Sequence, residues 1–247
     1  MAKKAVARRK TTAVANLKEE LRQEASQMQE RVGSGESTRI RTSDKVFEMP
    51  NGEVVDGSME CVIIDFTSKN ALYEGKWDPN NPQPPICFAI GDIIDAMKPS
   101  PKSPEPQADS CANCPMNEFG SDGNGKACKN TRTLAVVPAN GNPEAPMMTL
   151  DVSPTGLKSF DGHVSTVTAN FGLPPICVVT EVGFHPEKSW AQLMFSSVEE
   201  NQNLEVHAAR REEARRLISQ EPNMTVNEAP KAKSRARGGR GRARARK

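Results

Sequence analysis

The fold turns on one stretch, MMTLDVSPTGLKSFDGHVSTVTAN at residues 147–170, followed at once by ICVVTEVG at residues 176–183. Residues 147–152 read as a strand. Ser153-Pro154 then supplies a helix N-cap and a proline-started first turn. The spacing predicts a helix from there to about Asn170, although Gly156 and Gly162 weaken it. Residues 176–183 return to a β pattern, so one helix sits between strands.

Upstream of that stretch, residues 45–49 read as a strand and Pro50-Asn51-Gly52-Glu53 as a tight turn, with Gly52 suited to positive φ. Residues 59–66 form another strand, in which Cys61, Ile63 and Asp65 fall on one face by two-residue alternation. Short strands are expected at 73–77, 86–90 and 133–138. Residues 98–109, dominated by PSPKSPEPQAD, read as an extended surface connector without a core. Downstream, 191–197 completes the β pattern and 198–219 reads as a charged helix. Before all of this, residues 13–35 carry a helical pattern with Leu17, Leu21, Met28 and Val32 on one face, ended by Gly33-Ser34-Gly35. A small, mainly β barrel with an intervening helix fits this order; an oligonucleotide-binding (OB) barrel is one such arrangement. An α+β sandwich fits almost as well, and periodicity does not choose between them.

Composition bounds the rest. Of 247 residues, 36% are hydrophobic, and the chain holds 19 prolines and 17 glycines. The apolar residues cluster between about Val46 and Phe195, enough for one core. No apolar run reaches the length of a membrane span. The opening MAKKAVARRKTT has no apolar stretch behind it, against a secretory signal and for a reducing cytoplasm. The net charge of +2 conceals segregation: residues 1–10 hold five Lys or Arg and residues 231–247 hold nine, with no acid in either. Nineteen basic residues then face 31 acidic ones in the middle, so an acidic body carries two cationic arms, 1–12 and 220–247, both read as disordered.

Six cysteines in a reducing compartment point to metal ligands or core thiols rather than disulfides. The strongest local signal is CANCPMNEFGSDGNGKAC, residues 111–128. Cys111 and Cys114 form a Cys-x-x-Cys pair, and Gly120, Gly123 and Gly125 let the chain fold back to bring Cys128 to the same centre. Cys87, the nearest remaining cysteine, is the expected fourth ligand. Zinc holds four thiolates tetrahedrally with no open position, so the expected role is structural. An iron–sulfur cluster also takes four thiolates, and a redox or inert pair is the other alternative. His163 is a substitute ligand, although a lone histidine in a helix is more often packing. Cys61 and Cys177 read as core thiols.

No phosphate-binding glycine loop, His-Glu-x-x-His motif or nucleophile elbow is present, and Asp151 and Asp161 have no evident reason to pair; a non-enzyme is expected. The tail KAKSRARGGRGRARARK, residues 231–247, suits sequence-independent contact with phosphates through Arg235, Arg237, Arg240, Arg242, Arg244 and Arg246. Tyr73, Trp77, Phe119 and Trp190 are candidates to stack on unpaired bases. For Phe119 the alternative is a cover for the metal site, and for Trp190 a place in the core. Lys76, Lys126, Lys129 and Arg132 lie close in sequence as candidate phosphate contacts.

PIC at 85–87, CANCPMNEFGS at 111–121 and GKACK at 125–129, with LDVSPTGLKSF at 150–160 and QLMF at 192–195, resemble a group of bacteriophage proteins with an OB-like body and an inserted four-cysteine loop. The resemblance covers about residues 45–197. It implies an OB-like domain there, including a metal-binding region at 87–128, and single-stranded-DNA binding in phage replication or recombination in the cytoplasm of an infected host. Such binders often end in an acidic tail; this chain ends basic. A zinc-stabilised phage protein that binds another protein, such as an RNA polymerase, is the alternative. A homodimer through an edge strand or the first helix is compatible with the pattern.

Overall fold

The computed structural model describes residues 38–75 and 83–224. The expected arm at 1–12, the helix at 13–35 and the tail beyond Met224 lie outside the described residues. The described residues divide into two compact units, 38–67 with 131–218, and 68–75 and 83–130 with 219–224.

The first unit is mainly β. Its strands are β1 (Arg39–Ser43), β2 (Val46–Glu48), β3 (Val54–Asp56), β4 (Ser58–Leu72, which ends in the other unit), β6 (Lys129–Pro138), β7 (Met148–Val152), β8 (Val178–Phe184) and β9 (Leu193–Glu200). They pair in the order β3-β2-β1-β7-β6-β4-β8-β9, a strongly curled half-barrel. β1 pairs with β7 in parallel, Arg39 facing Thr149 and Ile40 facing Leu150, while β1–β2, β2–β3, β4–β8, β6–β7 and β8–β9 are antiparallel.

β4 and β6 carry near-continuous apolar runs because both sheet faces are covered. Cys61, Ile63, Leu134 and Val136 face inward with Phe47, Phe160 and Val182. Val62, Ile64, Ala135 and Val137 face the other way, against Ile176, Ala214 and Ile218. The expected alternation through Asp65 slips: Phe66 packs on the inner cluster, while Asp65 pairs with Arg215 at 3.3 Å.

The helix between strands, α1 (Leu157–Phe171), starts later than the Ser153-Pro154 reading. Gly156 is the N-cap and no side chain caps the helix; Ser153 instead closes a turn through its carbonyl, which accepts the Gly156 N–H. Gly172, at φ +66°, ends the helix in the left-handed region. Phe160 is fully buried and meets Phe66 and Phe195 edge-on at 5.0 and 5.2 Å.

The expected helix over 198–219 is corrected. β9 continues to Glu200 because Glu199 and Glu200 pair with Val179 and Val178 across a bulge. Asn201 then turns the chain, its amide donating to the Ile176 carbonyl and sitting 2.9 Å from the buried His207 ring. Two short helices follow, α2 (Leu204–Ala209) and α3 (Arg211–Ile218). Between them the Arg210 guanidinium grips Glu213 and donates to the carbonyls of Pro143 and Ala145.

In the second unit, β5 (Cys87–Gly91) pairs antiparallel with the end of β4, Leu72 facing Cys87. β4 ends at Leu72, so residues 73–75 are not the expected strand. The Pro-rich connector is irregular but pinned, not free. Ser103 is buried and its hydroxyl bridges the N–H and C=O of Phe88, while Ser100 and Glu105 donate N–H groups to Phe88 and Ile86.

Candidate metal centre and nucleic-acid interface

Each cysteine of the second unit is delivered by a different local device. Cys87 opens β5. Cys111 is tied by its N–H to the Met97 carbonyl, and its own carbonyl accepts from the Asn117 side chain at 2.8 Å. Cys114 precedes a single 3-10 turn, Pro115–Asn117, so the pair does not open an α-helix as a thioredoxin-like motif would. Cys128 returns through its N–H to Met116. All four are buried, at 7–9% exposure.

The four cysteines line one cavity of about 20 Å³, together with Asn70, Leu72 and Met116. That is room for one water-sized or ion-sized guest. Burial, and then the neighbouring Cys111, Cys114 and Cys87, push the Cys128 thiol up to about 12, against a lowering by Lys126. Burial likewise raises Cys111, with Cys87 and Cys114 adding to it and a hydrogen bond from Asn70 opposing it. Among the described residues no three His, Cys, Asp or Glu side chains are grouped so that they could hold a metal ion. By residue chemistry alone, four cysteines are donors of the type a soft dication takes, and binding would have to offset the burial that raises Cys111 and Cys128.

His163 is not part of this set. It is buried in the first unit, its Nε2 3.1 Å from the Thr180 hydroxyl. Cys61 is buried there too, and Cys177 is partly buried, packed against the cluster of Val62, Ile64 and Ile176 and next to Arg211.

Beyond the cysteines, the glycine-rich loop is a braced hairpin. Gly120, at φ +96°, donates its N–H to the Gly125 carbonyl. The Ser121 hydroxyl bonds the Glu118 carbonyl at 2.6 Å and accepts the Ala127 N–H. At its base Phe119 is 80% exposed, which excludes a role as cover for the thiols. The Lys126 Nζ lies 5.1 Å from the ring centroid and donates to Asn117 and Asn130. Lys129 is ion-paired with Asp122 at 3.0 Å.

Other sequence candidates separate. Tyr73 is exposed just past β4. Arg132 is corrected: it is 6% exposed and faces Asp161 at 3.6 Å, so its charge is spent inside the first unit. Asp151 pairs with Arg39 at 2.9 Å and takes the Thr133 hydroxyl at 2.6 Å, so Asp151 and Asp161 have separate partners. Lys76, Trp77 and the six tail arginines lie outside the described residues. Trp190 is 50% exposed and not core; Lys188, with its Nζ 5.4 Å from that ring, is the companion that reading the residues one at a time overlooks.

Among the described residues no helix is long and apolar enough to cross a membrane. No family model matches the chain, and neither a curated protein nor a solved structure is significantly similar to it.

Proposed function

We propose that this is a non-catalytic single-stranded-DNA-binding protein of phage replication or recombination, with an OB-like body and a zinc-braced loop. The observation that carries the reading is the strand succession. From β4 the chain runs through β6 and β7, then α1, then β8 and β9, and β4 pairs with both β6 and β8. A three-strand meander, a helix, and a two-strand return to the first strand is the path of an OB barrel. Its loops between first and second and between fourth and fifth strands serve oligonucleotides. The first of these is here the cysteine-bearing segment between β4 and β6. Phe119 would stack on a base, Lys126 and Lys129 would face phosphate, and the arginine tail would add salt-sensitive, sequence-tolerant attraction. Zinc held by Cys87, Cys111, Cys114 and Cys128 would supply cross-linking of the loop and no chemistry on the nucleic acid.

The test is an anisotropy titration of zinc-supplied protein with matched single- and double-stranded DNA at near-physiological salt. It uses the full chain and a chain ended after Met224. A single-strand preference that survives tail removal is expected. Equal affinity for both forms, lost with the tail, would replace this reading with non-specific condensation. No binding to either form would favour a protein-binding phage factor.

A further inference from the structure

A groove of about 610 Å³ enters the first unit, bordered by the β2–β3 hairpin and by strands β4, β6 and β7. Met49, Val55, Met59 and Met148 line it, each only partly buried against the inner core. Cys61 and Val136, both buried, line it too. Methionines, unbranched and polarizable, suit a surface that must fit apolar side chains of irregular shape. The charged residues of the lining are Glu53 and Glu60, both exposed, so the groove is apolar within and acidic at its edge. Asn140 donates to Glu60 at 3.1 Å.

The groove lies where the described chain begins. The Thr38 carbonyl accepts the Thr149 N–H at 2.8 Å, which seats the first described residue next to Met148. Across the β1–β2 pairing Arg41 faces Glu48, so the opening residues of β1 run beside Met49 as well. Residues 1–37 therefore join the body at the groove's own wall. Among them Leu17, Leu21, Met28 and Val32 fall within roughly 60° of arc at helical spacing, with Lys18 and Arg22 along one flank. A helix with one such stripe is held mainly by laying the stripe on apolar surface. Gly33-Ser34-Gly35-Glu36-Ser37 spans up to about 17 Å, enough to turn the chain back onto the groove.

We infer that residues 17–32 dock in this groove of their own chain, the apolar stripe on the methionines and Val55, the Lys18–Arg22 flank toward Glu53 and Glu60. The inference uses no nucleic-acid contact and stands apart from the reading above. Three observations choose the occupant. The segment joins the body at the groove wall, its stripe matches the apolar lining, and its basic flank matches the acidic edge. Docked there, it keeps this apolar surface from a second copy.

The experiment replaces Leu21 with the photocrosslinker p-benzoylphenylalanine in the full, zinc-supplied chain and maps the crosslinks by peptide mass spectrometry. Benzophenone inserts readily into methionine, and a mixture of light and isotopically heavy chains separates crosslinks within a chain from those between copies. Crosslinks within one chain to peptides holding Met49, Met59 or Met148 are expected. Leu17→Asp with Met28→Asp should weaken docking by about 100-fold, tenfold for each apolar side chain withdrawn, and remove most of that yield. Lys18→Glu with Arg22→Glu should lower the yield at low salt and less so at high salt. Mixed light–heavy crosslinks at the same peptides would overturn docking within the chain and give the groove to a second copy. Crosslinks confined to other peptides, or an unchanged yield in the double aspartate variant, would overturn the site altogether.

Discussion

Zinc loading of the metal-free protein should release about four protons per ion at neutral pH. The number follows from the cavity. Four buried cysteines line it, and burial, followed by the neighbouring thiols, pushes Cys128 up to about 12 and raises Cys111. An ordinary thiol is already protonated at pH 7, and only the thiolate binds metal, so every ligand must surrender its proton. Apparent affinity should therefore climb by about 10⁴-fold per pH unit on the acidic side of the thiol range. Calorimetric titration in two buffers of different protonation enthalpy reads the proton count directly. One zinc per chain and about four protons are expected, with Cys87→Ser reducing the count to about three. Release of two protons or fewer would refute a four-thiolate centre and leave Cys111 and Cys114 as an isolated pair. Failure of Cys87→Ser to change the count would remove that residue from the set.

Two further expectations concern the first unit. Phe160→Ala removes a fully buried ring that meets Phe66 and Phe195 edge-on. It should destabilise by about 3–5 kcal/mol, read as a lower urea midpoint with an unchanged slope. A loss under about 1 kcal/mol would mean that the ring does not anchor α1. His163 and His207 are buried, and desolvation lowers both below the ordinary 6.5, helped at His207 by Arg210. The unfolded chain then binds more protons than the folded one below pH 6.5. Stability from these groups is complete above that pH and falls as pH drops through it. Ring-proton titration by NMR should place both transitions below 6.5, and a transition at or above that value contradicts the burial argument.

Regular structure was largely legible because it is written in short-range pattern. Short apolar strand patterns at 45–49, 59–66 and 147–152 marked β2, β4 and β7, and the helix between β7 and β8 showed through its flanks even though its cap was misplaced. Where two readings compete locally, partners across the sheet decide. Residues 198–200 look helical by composition, but pairing with Val178 and Val179 keeps them in β9. The connector at 98–109 looks free by composition, but the backbone of Phe88 needed partners and Ser100 and Ser103 supply them.

The same division runs through the candidate sites. The sequence by itself brought Cys111, Cys114 and Cys128 together, because the Cys-x-x-Cys spacing and the glycine turns are local geometry, whereas Cys87 joins them in one cavity through the pairing of β5 with the end of β4. It also determined the charge segregation, which is composition alone. Only the tertiary structure decided which polar and aromatic groups face water. It buried Arg132 against Asp161, turned Phe119 and Trp190 outward, and carried Lys45 across 140 positions of chain to the carbonyl of His185. Exposure is a property of what packs over a residue, and its sequence neighbours do not encode that.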